Sequence, residues 1–376
     1  MNFSKEIKTS VRYCMIWLMH KHQRAYIQKI MRKNHISNTQ IEGEKNFVNK
    51  WKKLTTNVDV IYYRCFSRYV GNSPDILSGS ISVQYIEPIL NPIRLRDYYE
   101  DKNIYGKMYP KIWLPKTYLR RMNGIFMDED YCILKTINDE NLLKILEGVD
   151  RFIVKPSIDS CSGRGISLFI KKDQRYVSQN GIVLCYDTLI DYYKNDFIIQ
   201  ECISQSTFFS QFNPTSINTI RMAVYRSVTD NQLYVTNVIL RIGANGSVVD
   251  NAHSGGRFIG INECGGLNKY VCETFGTTAK SFNGINFSQS DFVIPHYEEI
   301  KEFAKNVAKE IPHHRLIALD IGIDKDNKPI LIEYNIGAFS YWLFQFSGQP
   351  ALQGFTDEII NYCAAKKNYM LMQIAL

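Results

Sequence analysis

Two apolar segments near the carboxyl end, joined by a short polar turn, place the strongest constraint on the fold of this chain. The first covers residues 316–323 (LIALDIGI), the second covers residues 330–335 (ILIEYN), and the turn between them contains DKDN. Runs this rich in branched apolar residues and bounded by a turn predict a β-hairpin. In a hairpin symmetric about Lys325 and Asp326, Asp320 lies opposite Leu331 and diagonal to Glu333.

One face of this predicted hairpin carries three side chains with oxygen ligands, Asp320, Glu333 and Asn335. Their neighbours Ala318 and Gly322 are small and leave space above them. Two carboxylates and an amide oxygen suit Mg²⁺ that bridges phosphates. The alternative is the solvated face of a half-exposed hairpin, although strands usually place Thr, Lys or Arg there. The pattern therefore favours a metal site formed by these three residues.

A second stretch, residues 154–169 (VKPSIDSCSGRGISLF), combines a lysine with a loop of small residues. Lys155 precedes the glycines, whereas the lysine of a Walker A loop follows them and opens a helix. Alternating apolar residues follow the loop, so the stretch predicts strand, loop and strand. Backbone N–H groups of such a loop can approach phosphate oxygens closely. The loop residues of interest are Ser160, Ser162, Gly163 and Gly165. On its own, the stretch is equally compatible with a surface hairpin that binds nothing.

Two arginines lie on a further predicted hairpin, formed by residues 218–227 and 233–243. Arg221 on the first strand could clamp a phosphate or a developing oxyanion. Taken alone, it is better explained by an ordinary surface salt bridge, and Arg241 on the second strand has the same two interpretations. The polar loop at 250–257 that follows indicates only a turn.

The remaining pattern predicts an α+β protein with largely antiparallel strand pairs, because regular strand–helix alternation is absent from the sequence. The expected helices are 5–33, 40–54, 94–106, 137–146, 186–194, 296–311 and 349–365, and the further expected strands are 151–155, 166–171, 182–185 and 197–200.

Nine cysteines are scattered without a C-x-x-C pair, which argues against a disulfide framework or zinc site and for a reducing compartment. No apolar run reaches the roughly 20 residues that cross a bilayer. The expected location is therefore the cytoplasm.

The positive charge of the chain is concentrated at its start. Residues 1–53 carry twelve Lys or Arg and three Glu, so their formal charge of +9 exceeds the +8 of the whole chain. The segment is either a helical region packed on the body with a solvated face, or an amphipathic helix resting on an anionic membrane surface. A nucleic-acid partner is not expected, because no stacking motif or recognition helix accompanies the charge.

Along the chain, the lysine with its glycine loop comes first, the Asn-Thr-Ile-Arg strand follows, and the metal hairpin comes last. Motifs in this order resemble those of an ATP-grasp enzyme. The resemblance covers about residues 95–350 and is greatest to the sugar-transfer-associated ATP-grasp family of polysaccharide biosynthesis. The Asn-Thr-Ile-Arg strand at 218–221 and the metal hairpin are its most specific parts. Asp101 with Lys102, and the loop with Asp250-Asn251 and Gly255-Gly256, also match it.

The resemblance implies a fold and roles for individual residues. ATP would lie between two α+β lobes with antiparallel sheets. Lys102 and Lys155 would hold the α/β-phosphates, and the Ser160–Gly165 loop would close over the β/γ-phosphates. Arg221, with Lys155, would act in catalysis, and Arg241 would contact the nucleotide. The adenine hinge would be formed by Glu201, Cys202 and Ile203, and Mg²⁺ would be held by Asp320, Glu333 and Asn335. Many family members carry an acidic ribose ligand soon after the hinge, and this chain has Ser204, Gln205, Ser206 and Thr207 there.

The resemblance also implies a division of the chain and a reaction. Residues 1–95 form a basic, mainly helical region, residues 96–200 the first ATP-grasp lobe and residues 201–376 the second. The reaction is an ATP-dependent ligation of a carboxylate and an amine through an acyl phosphate, such as joining an amino acid to a uronic acid of a glycan. The alternatives are a kinase acting on a sugar hydroxyl and a non-catalytic nucleotide-binding scaffold of a membrane glycan-assembly complex.

Overall fold

Antiparallel strand pairing organises the whole chain. The computed structural model describes residues 18, 20–158, 163–337 and 339–373. Its strands form two large sheets, one drawn from residues 117–201 and the other from residues 220–335, and helices cover their faces. The expected α+β class with antiparallel sheets is confirmed. The three-part division at residues 95 and 200 stays a prediction.

The helices are mostly short. In chain order they are α1 (20–33), α2 (Glu44–Trp51), α3 (Ile61–Val70), α4 (Gly79–Ile81), α5 (Glu87–Leu90), α6 (Arg96–Glu100), α7 (Tyr105–Met108), α8 (Asp139–Ile145), α9 (Tyr186–Tyr193), α10 (Thr207–Ser210), α11 (Tyr297–Lys309), α12 (Tyr341–Phe346) and α13 (Thr356–Gln373). A π-helical turn, Ser82–Ile86, joins α4 to α5.

The smaller sheet has the strand order β2-β1-β6-β3-β4-β5 and the larger has the order β11-β10-β9-β8-β7-β14-β15. The strands are β1 (Thr117–Met122), β2 (Ile125–Met127), β3 (Arg151–Pro156), β4 (Ser167–Lys172), β5 (Arg175–Ser178), β6 (Phe197–Glu201), β7 (Ile220–Arg226), β8 (Leu233–Ile242), β9 (Arg257–Ile261), β10 (Val271–Cys272), β11 (Thr278–Ala279), β12 (Ser281–Phe282), β13 (Ile285–Asn286), β14 (Leu316–Ile323) and β15 (Pro329–Asn335). Strands β12 and β13 form a separate two-stranded ribbon.

The predicted hairpin at residues 316–335 is present as β14 and β15, but its register differs from the symmetric one. Asp320 pairs directly with Glu333, whereas Ile321 pairs with Leu331. Ile332 is therefore an extra residue in β15, a β-bulge that shifts the register by one position. The expected placement of Asp320 opposite Leu331 is wrong, and the bulge instead sets the two carboxylates side by side on one face.

Helices cover both faces of the larger sheet. On one face, α11 presents its apolar stripe, which includes Tyr297, Ile300 and Ala304. On the other face, Trp51 and other side chains of the amino-terminal helices share a core with Tyr225 and with α12 and α13. Residues 20–53 thus belong to the packed body.

Basic residues of this amino-terminal region also pair with acidic residues of the rest of the fold. Lys33 forms an ion pair with Glu273, and Lys50 lies 3.1 Å from Asp357. For residues 20–53 these contacts favour a packed helical region over a membrane-surface helix. The expected helix over residues 5–33 falls largely outside the described residues, which contain its part at 20–33.

Three expectations about local structure are wrong. Residues 94–106 do not form one helix, because Asp101 accepts a hydrogen bond from Asn103 N at 2.9 Å and starts a new turn between α6 and α7. The strand expected at 182–185 is limited to one bridge at Val183, and the strand β5 precedes it. The closing helix begins at Thr356 rather than at residue 349.

The strands β1 and β2 were not predicted, although β1 lies inside the smaller sheet between β2 and β6. Among the described residues, no helix combines the length and the apolar character that a membrane span requires. The cysteines in the described part of the chain are free thiols.

Candidate active site

A cleft of about 300 Å³ is lined by residues of both sheets. It brings together several residues that the sequence singled out. These are Lys155, Gly163, Glu201, Cys202, Ile203, Arg241, Asp320 and Glu333. Because they come from distant parts of the chain, the fold assembles a single polar site from separate motifs.

Other predicted residues lie beside the cleft rather than in its wall. The Nζ atom of Lys102 is 3.2 Å from Oε2 of Glu333, and Arg221 lies behind Asp320. Gly165 packs against Pro156, and Asn335 lies at the end of β15. Ser160 and Ser162 lie outside the described residues.

The buried carboxylate of Asp320 is held by two guanidinium groups. Arg221 donates from Nε to Oδ1 at 2.7 Å and from Nη2 to Oδ2 at 2.6 Å, and Arg241 donates from Nη1 to Oδ2 at 2.9 Å. Burial raises the pKa of Asp320, but the charges of Arg221 and Arg241 outweigh it and hold the pKa below its usual value. Asp320 is therefore ionised and its orientation is fixed.

Asp250 forms a second buried pair with Arg241. Nη2 of Arg241 lies 3.0 Å from Oδ1 of Asp250, and the other oxygen accepts from Thr219 N at 2.9 Å and from the Thr219 hydroxyl. Burial raises the pKa of Asp250, and Arg241 opposes the rise. Arg241 thus bridges two carboxylates, which fixes its guanidinium at the edge of the cleft.

Lys155 has a different environment. Its side chain is buried, and among the described residues it has no ion pair. Burial, together with the nearby charge of Lys102, lowers the pKa of Lys155 to about 8, and Glu333 opposes this change only in part. A buried ammonium with no bound carboxylate is a strong point charge for an anionic ligand.

The donor set at the hairpin suits a hard cation. Asp320 and Glu333 are directly paired across the two strands, and Asn335 follows Glu333 on the same strand. The Nδ2 atom of Asn335 is buried and has no hydrogen-bond partner within the described part of the chain. In the described part of the chain no cluster of three His, Cys, Asp or Glu side chains could hold a metal by itself. The chemistry of two carboxylates and one amide oxygen fits Mg²⁺ that also binds phosphate oxygens.

The model of one protein family, described as sugar-transfer associated ATP-grasp, matches residues 80–361. The chain belongs to this family. The ATP-grasp resemblance noted from the sequence motifs is thereby confirmed.

Several solved structures of ligases and synthetases are similar to the chain. The D-alanine–D-alanine ligase from Coxiella burnetii has 11% identity and a TM-score of 0.39, and the match covers 73% of this chain and 60% of that protein. D-cycloserine synthetase DcsG has 9% identity and a TM-score of 0.41, and the match covers 74% of this chain and 73% of that protein. D-alanyl-alanine synthetase A from Vibrio cholerae has 12% identity and a TM-score of 0.40, and the match covers 73% of this chain and 65% of that protein.

This chain therefore spans between 60% and 73% of the length of these three proteins. Similarity at this distance does not identify a substrate. A search of curated proteins gives no match.

Apolar side chains also line the cleft of this ATP-grasp chain. They include Ile153, Leu168, Ile203 and Ile332. Ligand pockets that hold flat organic groups such as a purine base are lined mainly by apolar side chains. The role of Cys202 and Ile203 as an adenine hinge stays a prediction.

Gln205, which follows the predicted hinge, is occupied by the protein itself. Its Nε2 atom donates to Asn213 O and Ser216 O, both at 2.7 Å, and its Oε1 atom accepts from Asn218 N. It therefore positions the 213–218 loop. The cleft wall also carries hydroxyl groups, which belong to Ser204, Ser210, Thr215 and Ser216.

The cleft wall also contains Thr219, Asp250 and Asn251, to which the sequence assigned no individual role. Thr219 is adjacent to the more conspicuous Arg221. Taken alone, the Asp250-Asn251 pair indicated only a turn, although it matched the family resemblance. Its signal in the sequence was the combination of two short polar side chains with two following glycines, which is common where backbone closely approaches a ligand.

Proposed function

We propose that the chain is an ATP- and Mg²⁺-dependent ligase that joins a carboxylate to an amine, with a sugar-linked molecule as one substrate. The family supports the use of ATP and the association with sugar transfer. An amino acid and a uronic acid of a glycan are the substrate pair that we favour.

The observation that carries the proposal is the charge arrangement of the cleft. The ammonium of Lys155 and the guanidinium of Arg241 line the same cleft as the paired carboxylates Asp320 and Glu333. Phosphoryl transfer depends on positioning and charge neutralisation and requires no protein nucleophile. Fixed cations beside a hard-oxygen site provide those two functions.

The proposed reaction has two steps. A carboxylate oxygen of the substrate attacks the γ-phosphorus of ATP, and the bond to the β-phosphate oxygen breaks to give an acyl phosphate and ADP. The amine then attacks the acyl carbon, phosphate leaves with the oxygen, and the amine proton passes to the phosphate. Lys155 and Arg241 hold phosphate oxygens in place, and the smaller sheet with its glycine loop excludes water from the acyl phosphate. Bound Mg²⁺ would neutralise phosphate charge, and Asp320, Glu333 and Asn335 would hold it.

Product analysis tests this proposal. The purified full chain is incubated with Mg·ATP, amino acids and uronic acids in free and nucleotide-linked forms, and ADP and phosphate are measured. A ligase releases both only when an acid and an amine are present together. Release of ADP with a phosphorylated sugar and no free phosphate contradicts the ligase and supports a kinase. Lys155→Met is the inactive control, and Lys171→Met, an exposed lysine on β4, is its matched counterpart.

A further inference from the structure

Asn251 carries an amide nitrogen that the protein does not use. Its Oδ1 atom accepts a hydrogen bond from His253 N at 2.9 Å. A backbone N–H can only donate, so this contact identifies the oxygen end of the amide and leaves Nδ2 at the other end. The Nδ2 atom is buried and has no hydrogen-bond partner among the described residues.

The loop that presents Asn251 is rigidly held. The Asn251 carbonyl accepts from Ser254 N at 3.0 Å and from Gly256 N at 3.1 Å. A Cβ atom at Gly256 would lie 2.8 Å from the same carbonyl oxygen, so only glycine permits this close turn. The preceding residue, Asp250, is fixed by Arg241 and Thr219. The position of the free amide is therefore set before any ligand binds.

Asn251 is one of the residues that line the cleft, together with Lys155, Arg241 and Asp320. A Cβ atom at Gly163 would lie 3.5 Å from Cγ1 of Val249, which places Gly163 against the residue two positions before Asn251. In the proposed function Gly163 lies over the β- and γ-phosphates.

We infer that the Asn251 amide donates a hydrogen bond to an oxygen of the phosphoryl group that is transferred. A buried donor left without a partner is unfavourable, and an anionic oxygen in this position would satisfy it. The hydrogen bond would be made to the γ-phosphoryl group and not to the phosphates that remain in ADP. Asn251 would thus discriminate between the reacting state and the product. This inference rests on the proposed function.

Equilibrium binding to three probes tests it. The probes are Mg·ADP, a non-hydrolysable Mg·ATP analogue with an imido bridge, and Mg·ADP with aluminium fluoride, which mimics the phosphoryl group in the transition state of transfer. Asn251→Ser removes the amide but keeps a short oxygen that can accept from His253 N. We expect Mg·ADP affinity to stay within about twofold of wild type and affinity for the other two probes to fall at least tenfold, a size consistent with loss of one charge-assisted hydrogen bond.

Asn262→Ser is the matched control, because the Asn262 side chain also accepts backbone N–H bonds, from Cys264 and Gly266, and it lies outside the cleft wall. It should change none of the three affinities. Equal losses for all probes in Asn251→Ser, or no loss, would overturn the inference while leaving the proposed function intact. A wild-type chain that binds none of the probes would overturn both.

Discussion

Arg221 and Asp320 face each other on the adjacent strands β7 and β14 and form a two-point hydrogen bond, with donor–acceptor distances of 2.7 and 2.6 Å. Arg241 reaches the same carboxylate from β8, the next strand of the sheet. Three neighbouring strands therefore fix one ionised carboxylate in the wall of the cleft. Arg221 is not part of the cleft wall itself, so we propose that it acts through Asp320.

Replacing Arg221 by Met should destabilise the protein by about 3 kcal/mol, because removal of one partner leaves part of a buried charge uncompensated. Arg226→Met on the same strand is the control. Its guanidinium bonds to the carbonyls of Ala308 and Lys309, and we expect a loss of about 1 kcal/mol. Urea unfolding at neutral pH measures both. Equal losses of unfolding free energy in the two variants would show that the ion pair of Arg221 with Asp320 stabilises the protein no more than the bonds of Arg226 do.

The lowered pKa of Asp320 predicts an acid-dependent stability difference between wild type and Asp320→Asn. The unfolded chain binds a proton at Asp320 near pH 3.9, whereas the folded chain binds it only at lower pH. Wild-type stability from this group is thus present above pH 4 and is lost as the pH falls through the folded pKa. The advantage of wild type over Asp320→Asn should shrink below pH 4 in urea titrations. A constant difference from pH 7 to pH 3 would contradict this.

The hairpin and the Lys155 strand could be predicted from the sequence, because both depend on local alternation of apolar residues. The position of Asp320 opposite Glu333 could not, since it requires the bulge at Ile332, and an extra residue in a strand leaves no clear mark in the pattern. Strand β1 was missed because its residues, Thr117–Met122 (TYLRRM), include two arginines and carry no clean alternation.

Contacts between distant segments were likewise invisible in the sequence. The partial burial of Glu333 beside Lys102, and the pairing of Arg241 with Asp250, depend on how the sheets pack. A lone arginine on a strand is therefore ambiguous until its neighbours are known. The order of the motifs was enough to indicate the family. Only the fold shows which residues Arg221 and Arg241 contact.

Lys155→Met should stabilise the protein and abolish nucleotide binding. The folded pKa of about 8, against an ordinary value of 10.5, means that the buried ammonium costs up to about 3 kcal/mol at neutral pH. Between pH 8 and 10.5 the unfolded chain holds more protons, so wild-type stability rises with pH and the gap to the variant closes. Urea unfolding at pH 7 and 10 measures this. Lys171→Met, exposed on β4, should leave stability and Mg·ADP affinity unchanged.

Gly165→Ala should weaken nucleotide binding through the shape of the glycine loop. Gly165 has φ +75°, and a Cβ atom there would lie 2.9 Å from Cγ of Pro156, the residue after Lys155. Gly181→Ala is the control, since Gly181 has φ +79° and no atom of the described residues lies within 4 Å of the added methyl group. Both variants should lose about 1 kcal/mol of stability from backbone strain. Only Gly165→Ala should lower Mg·ADP affinity, and equal affinities in calorimetry would contradict a role for the loop.

Trp51→Ala tests whether the basic amino-terminal region is part of the fold. Trp51 is fully buried, its Nε1 atom donates to Pro74 O at 3.1 Å, and it shares a core with residues of the larger sheet. Its removal should cost about 3–5 kcal/mol in urea unfolding. Trp113 is 53% exposed, so Trp113→Ala should cost less than about 1 kcal/mol.

A small effect of Trp51→Ala would mean that the region is not packed as described and would favour its attachment to a membrane surface. A large effect has a further consequence for experiments on membrane binding. Deletion of residues 1–53 would then unfold the body, because Ile27, Ile30 and Phe47 are also buried in its core. Vesicle flotation should therefore compare the full chain with a deletion of residues 1–17 alone, in which the packed helices are retained.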